Sequence, residues 1–333
     1  MLNIGTLLLG LGIILISAEL FTNGIEWLGR RLKLSEGAVG SILAAVGTAL
    51  PETLVPIIAI GFGATQAQKE IGVGAILGAP FMLGTLALFV TGLAALIFAF
   101  FGRRRATMMI DDCVMKRDLR FFLVVYSLAI LAALLGRHEY KMMMAVGLVT
   151  AYIIYVYRTV TSGECVVESE LNPLIFSRKA QVPRFRFIFL QVFGAVCGII
   201  GGAELFVHSM EKLAHNLDIS PFILSVILTP IATELPEKFN SVIWVSRGKD
   251  TLALGNITGA MVFQSSIIPA IGITLTPWVL SATAFTCALI ALSSAALVLL
   301  LLTVKGYLRA YTLLSGGVFY SLFLFLIISK MLQ

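Results

Sequence analysis

Charge is scarce in this 333-residue chain: Asp, Glu, Lys and Arg together make up 13%, about half the share found in a soluble domain. Histidine is scarcer still. His138, His208 and His215 show no metal-ligand spacing, and no HExxH motif is present. Cys113, Cys165, Cys197 and Cys287 are scattered without a CxxC spacing, so neither a disulfide framework nor a zinc site is indicated. The lack of a Walker loop argues against an ATP-driven pump, and no nucleophile–base constellation marks an enzyme. What fills the chain is hydrocarbon: 59% of residues are hydrophobic and mean hydropathy is +0.98. That is about 196 apolar residues, close to what ten membrane spans of roughly 20 residues consume. A soluble globule, a disordered chain and a disulfide-stapled secreted domain are all excluded. The composition describes a polytopic integral membrane protein.

Apolar runs fall at 3–28, 36–62, 70–101, 119–136, 140–157, 187–210, 219–246, 251–275, 279–303 and 308–331. The first lacks a basic leader and is too long for a signal peptide, so it reads as a membrane helix. Helices are the only fit, because the runs lack the ten-residue alternation of a barrel. The expected fold is all-α with ten transmembrane helices. A polar connector at 158–186 separates a first five-helix repeat, 1–157, from a second, 187–333. With the N-terminus outside, 18 of the 24 basic residues fall in inside loops and adjoining span ends, Arg103 to Arg105 among them. Lys69, Arg137, Lys141, Lys212 and Lys330 lie outside and Lys238 lies within a span. That asymmetry predicts N-out and C-out. It also accounts for most of the net charge of +6, so no nucleic-acid partner is expected.

The halves repeat. Ala-Glu-Leu-Phe occurs at 18–21 and again at 203–206, an offset of 185. The same offset carries Glu26 onto Glu211, Thr48 onto Thr233, and Leu50-Pro51-Glu52 onto Leu235-Pro236-Glu237. Further on, Gly74 maps onto Gly255 and Gly78 onto Gly259. Five spans is an odd number, so the second copy enters the membrane from the opposite side. This is an inverted repeat, with an ion site expected at the repeat interface near the midplane.

The strongest chemical signal is the pair Gly47-Thr48-Ala49-Leu50-Pro51-Glu52 and Ala232-Thr233-Glu234-Leu235-Pro236-Glu237. Each lies near the centre of its span, where a carboxylate is costly and marks function. Each proline removes a backbone donor and frees a carbonyl one turn back. Carboxylate, threonine hydroxyl at i−4 and freed carbonyl then lie at one depth. Two such helices facing each other would offer oxygen ligands for a hard cation, Ca²⁺ most naturally. The plainer alternative is a pair of protonated glutamates satisfying kinked helices.

With these motifs the chain resembles the cation/calcium exchanger superfamily, in particular its prokaryotic sodium/calcium exchanger branch. Gly-Ala-Ile-Leu-Gly-Ala at 74–79 and Gly-Asn-Ile-Thr-Gly-Ala at 255–260 add to the resemblance, which covers nearly the whole chain. It implies that Glu52 and Glu237 bind Ca²⁺ with oxygens of Thr48 and Thr233, and that spans 1 and 6 slide to alternate access. Several positions depart from the family pattern. A serine expected after each threonine is Ala49 or Glu234. The serine and the Asn or Asp four residues later on the other signature helices are Ala79 and Leu83, and Ala260 and Gln264. Ala45 matches an alanine whose carbonyl helps bind sodium, but its counterpart is Pro230. The resemblance therefore leaves the coupling ion, Na⁺ or H⁺, open, with Glu234, Lys238, Gln264 and Ala45 as auxiliary candidates. Glu234 and Lys238 sit at i, i+4 in the favourable order. They form either an internal ion pair or a stand-in for a coupling cation or proton.

Glu19 and Glu204 recur by symmetry and suit packing or gate lining. Gly72, Gly74 and Gly78 suit close helix packing rather than a nucleotide loop. The acids Glu164, Glu168 and Glu170 in the connector read as a solvated face. The expected activity is secondary-active antiport of a divalent cation against Na⁺ or H⁺, by a monomer in the lipid bilayer and without a cofactor. An exchanger for Mn²⁺ or Mg²⁺ is one alternative, and a passive cation channel is another.

Overall fold

The computed structural model describes residues 2–31, 49–161, 172–177 and 183–331, with the side chains of 2, 3, 29, 30, 50, 160, 235–239, 330 and 331 outside that description. Thr48 and Ala45 lie outside the described residues. Helix occupies all or part of each of the ten apolar runs. In chain order these are α1 (Leu2–Arg31), α2 (Leu50–Gly61), α3 (Gln66–Met82) and α4 (Leu88–Phe100). Then come α5 (Asp112–Leu131), α6 (His138–Thr161), α7 (Phe185–Leu217), α8 (Pro221–Ser246) and α9 (Asp250–Leu275). The chain ends with α10 (Ala282–Lys305), the short α11 (Ala310–Leu313) and α12 (Ser315–Met331). A π-helical segment, Leu83–Ala87, joins α3 to α4 without a break.

Seven described helices are long and apolar enough to cross a membrane: Ile4–Leu28, Gln66–Phe100, His138–Thr159, Phe185–Leu217, Asp250–Leu275, Ala282–Lys305 and Ala310–Ser329. The other three expected spans fall short for identifiable reasons. The described part of the second, α2, has 12 residues. The fourth, α5, opens with Asp112, Lys116, Arg117, Asp118 and Arg120. In the seventh, α8, the described apolar stretch is Pro221–Glu234.

The described chain forms two compact units, Met1–Gly72 with Ile153–Leu224, and Val73–Tyr152 with Ser225–Gln333. Each draws helices from both sequence halves, and the borders fall inside α3, α6 and α8.

In the first unit α1 and α7 run antiparallel in close contact. Ser209 donates its hydroxyl to Thr6 Oγ1 at 3.0 Å, Gly198 meets Ser17, and Gly24 meets Val192. At Gly10 a Cβ would lie 2.9 Å from Phe206 N and 3.0 Å from Gly202 O, so only glycine permits this backbone approach. Leu54 of α2 packs on the buried cluster of Phe21, Ala195 and Ile199. Near the other end, residues 172–177 dock onto the helix pair. Gln191 donates to Leu20 O and to Asn23 Oδ1, both at 2.9 Å, and accepts from Phe176 N at 2.9 Å. Trp27 Nε1 donates to Asn172 O at 2.9 Å, and Arg31 Nη2 to Pro183 O at 2.8 Å.

In the second unit the core includes Phe81 against Tyr320 and Phe323, with ring centroids 5.4 and 4.6 Å away. Gly78, from the glycine set assigned to close packing, lies against the Val226 carbonyl and Pro230. Two loop clusters finish this unit. In one, Lys141 Nζ donates to Pro277 O at 2.6 Å and Trp278 Nε1 to Ala129 O at 2.9 Å. In the other, Arg104 grips Asp250 through two hydrogen bonds of 2.6 and 2.7 Å. Arg104 also donates to Val245 O at 2.8 Å. Beside it β1 (Thr107–Met108) pairs antiparallel with β2 (Leu308–Arg309).

Candidate ion-binding site

The two Leu-Pro-Glu motifs occupy different helical settings. Leu50-Pro51-Glu52 starts α2, with Ala49 as the N-cap residue. Proline there removes no intrahelical bond, because first-turn N–H groups have no partner in the helix. Glu52 lies in that first turn and is 6% exposed. The N–H groups at the start of a helix favour negative charge at this point. The expectation that Pro51 frees the carbonyl one turn back concerns Gly47, which lies outside the described residues. Pro236, by contrast, lies within α8, so its missing N–H leaves the Ala232 carbonyl without that bond.

Thr233 is buried and donates its hydroxyl to Thr229 O at 3.1 Å. Glu234, the next residue, is 1% exposed, and its Oε1 accepts a hydrogen bond from Gln264 Nε2 of α9 at 2.5 Å. Gln264 is 3% exposed. These two departures from the family pattern are thus partners in space. The sequence identifies both positions, but 30 residues of separation give no sign that they meet. Glu237 and Lys238 lie on α8, and their side chains are outside the described residues, as is the expected pairing of Lys238 with Glu234.

Other polar residues sit apart from these motifs. Asp118 of α5, 2% exposed, accepts from Thr258 Oγ1 at 2.8 Å and from Arg117 Nε at 3.3 Å. Thr258 belongs to the Gly-Asn-Ile-Thr-Gly-Ala segment, so this buried carboxylate braces a signature helix. It went unnoticed in sequence because it sits among charges at the edge of a span. Arg104, counted among the topogenic arginines, has a side chain only 7% exposed and is held by Asp250. Glu19 is exposed and lines a cavity of about 460 Å³ with Thr22, Asn23, Glu26 and residues 172, 173 and 175. Its symmetry mate Glu204 is exposed.

Residues 2–161 and 187–332 match the model of the sodium/calcium exchanger protein family. The chain belongs to the sodium/calcium exchanger family. Its members are exchangers rather than enzymes. Among relatives of this exchanger is a membrane protein of Methanocaldococcus jannaschii, 28% identical over 275 residues, 81% of each chain. CaxA of Alkalimonas amylolytica, a proposed antiporter, is 26% identical over 318 residues, 93% of this chain and 92% of its own. Among solved structures, the H⁺/Ca²⁺ exchanger CAX has a TM-score of 0.75 at 16% identity. It aligns over 99% of this chain and 82% of its own, a likeness of fold. The sodium-calcium exchanger NCX_Mj has a TM-score of 0.55 at 25% identity and aligns over 98% of both chains. This family member is therefore an integral membrane protein with the exchanger fold.

Proposed function

We propose that this protein is a secondary-active antiporter that carries Ca²⁺ against Na⁺ or H⁺ by alternating access, as a monomer in a prokaryotic inner membrane. Glu52 and Glu237 supply the carboxylates that hold the divalent ion, and Thr48 and Thr233 supply further oxygens. The observation that carries this reading is Glu52, a buried carboxylate in the first turn of a proline-started helix of an exchanger-family chain, repeated in sequence at Glu237.

The architecture we propose is ten spans in two inverted repeats, 1–157 and 187–333, joined by a cytoplasmic connector, with both termini outside. Two features support it. Contacts between α1 and α7 map onto one another under the 185-residue offset: Ser17–Gly198 becomes Ile13–Gly202, and Thr6–Ser209 becomes Gly24–Gln191. Within each unit, the bonded loops are those assigned to one membrane side by basic-residue counting. Arg104 with Asp250, and Arg31 with Pro183, are inside pairs; Lys141 with Pro277 is an outside pair.

Coupling centres on Glu234, Gln264 and Lys238, where a buried acid and amide occupy positions given to small polar ligands in the family pattern. All-oxygen ligation suits Mn²⁺ and Mg²⁺ as well as Ca²⁺. Flux into proteoliposomes under separately imposed Na⁺ and H⁺ gradients tests the whole reading. Glu52→Gln and Glu237→Gln should each abolish divalent exchange in folded protein. Wild-type flux in both refutes the ligand assignment, and uptake that persists without a countertransported cation favours a channel. Unchanged ion dependence in both Glu234→Ser and Lys238→Ala removes these residues from coupling.

A further inference from the structure

The turn that follows α2 is tightly organised. A Cβ on Gly63 would lie 2.1 Å from Ala59 O, so the turn closes only with glycine. Ala64 N donates to Gln68 Oε1 at 2.8 Å, and Gln68 N donates to Thr65 Oγ1 at 3.1 Å. Both organising side chains also reach Glu211 of α7. Thr65 Oγ1 donates to Glu211 Oε1 at 2.7 Å, and Gln68 Nε2 donates to Oε2 at 2.8 Å. His208 Nδ1 stands 3.9 Å from Oε2. Each carboxylate oxygen thus receives a different donor from one prearranged turn, a directional two-point fastening. The Glu211 side chain is 22% exposed, so water is at hand to replace those donors when they part.

The sequence repeat supplies a comparison within the same unit. Glu211 maps onto Glu26, which lies towards the opposite end of the antiparallel pair. Among the described residues nothing fastens Glu26. It lines the cavity of about 460 Å³ with Glu19, Thr22 and Asn23. One acid is fastened to the neighbouring turn, whereas among the described residues its sequence mate has no such fastening and lines a cavity.

We propose that Glu211 is a releasable latch holding residues 62–68, the turn after α2 and the first residues of α3, to α7, and that ion turnover requires the latch to open. The proposal rests on the exchanger reading above. The turn continues directly from α2, which carries Glu52, so fastening the turn restricts movement of α2 along the α1–α7 pair. A further contact between α2 and the pair, Leu54 on Phe21, Ala195 and Ile199, is apolar and without direction. It permits sliding, whereas the bonds to Glu211 must break for it to occur.

The test locks the latch. Thr65→Cys and Glu211→Cys are combined in a chain whose four native cysteines are replaced by alanine, and the protein is reconstituted in proteoliposomes. The reach of the replaced glutamate puts the two Cβ atoms beyond a disulfide, so a short bis-methanethiosulfonate reagent bridges them and a reductant removes it. The bridged protein should lose Ca²⁺ exchange by about tenfold or more, with recovery on reduction, as expected when a conformational step limits turnover. Bridged protein that exchanges at the reduced rate overturns the latch. A reduced form that moves neither Ca²⁺, Mn²⁺ nor Mg²⁺ counts against the exchanger reading instead. Hydrogen–deuterium exchange then decides the latch: amides of 62–68 should exchange roughly fivefold faster or more in Glu211→Ala than in wild type. Equal exchange overturns it.

Discussion

Gly78 and Gly259 occupy matching positions in the two sequence repeats, yet alanine should affect them in opposite directions. A Cβ on Gly78 would lie 2.6 Å from Val226 O and 2.9 Å from both Val226 Cα and Pro230 Cγ. That is about 0.8 Å short of the 3.4 Å at which ordinary contact begins. The obstacles are helix backbone and a proline ring, which cannot turn aside as a long side chain would. Overpacking of this kind costs about 1–3 kcal/mol. A Cβ on Gly259 meets no described atom within 4 Å. Alanine gains up to about 1 kcal/mol in helix propensity over glycine at either position, so that term cancels in the comparison. Gly78→Ala should therefore be less stable than Gly259→Ala by about 1–3 kcal/mol. Thermal unfolding of the purified variants in one detergent reads the difference as several degrees in midpoint. Equal midpoints, or a lower midpoint for Gly259→Ala, would refute the reasoning.

Arg104→Met should destabilise the second unit by about 3–5 kcal/mol, because it leaves Asp250 buried without its cation. Arg104→Met/Asp250→Leu should recover more than half of that loss, measured as thermal midpoints. Thr258→Val should cost about 1–3 kcal/mol by removing a donor from buried Asp118; Thr258→Ser, which keeps the hydroxyl, should remain near wild type in the same assay. Gln191→Leu withdraws partners from Leu20 O, Asn23 Oδ1 and Phe176 N, at about 1–3 kcal/mol for each buried group left unpaired. Residues 172–177 should then exchange amide hydrogens on the order of tenfold faster or more, and an unchanged rate would show that the docking does not depend on Gln191.

Much of the helical plan was legible in sequence because membrane burial writes it in long apolar runs, and all ten runs carry helix. The close approach at Gly78 was legible too, since small residues in an apolar helix have few other uses. Pairings between distant polar residues were not. Arg104 and Asp250 are 146 positions apart and Asn23 and Gln191 are 168 apart, and no periodicity links such residues. The connector 158–186 reads only as polar in sequence, with Glu164, Glu168 and Glu170 as a solvated face. Residues 172–177 nevertheless dock through Asn23 and Gln191, polar side chains on otherwise apolar helices. The setting of Pro51 was equally hidden, because proline marks either a kink or a first turn, and only the helix start at Leu50 distinguishes them.

The two repeats diverge at matching positions, and the proposed coupling role rests on that divergence. Gln264 maps onto Leu83 and Glu234 onto Ala49, so the polar pair of the second repeat has only apolar counterparts in the first. Leu83 begins the π-helical segment, whose Gly84 carbonyl accepts from Ser294 Oγ at 2.6 Å. Where one repeat buries an acid and an amide, the other changes its backbone pitch and uses a carbonyl to hold a neighbouring helix. The glutamates of the proposed divalent site are repeated in both halves. An ion bound at symmetric ligands alone gives no reason for an acid to be buried in only one half. Under the coupling role proposed above for the one-sided Glu234–Gln264 pair, swapping it for the first repeat's apolar residues (Glu234→Ala with Gln264→Leu) should alter the Na⁺ or H⁺ dependence of flux before it alters divalent binding, and an unchanged dependence would refute that role.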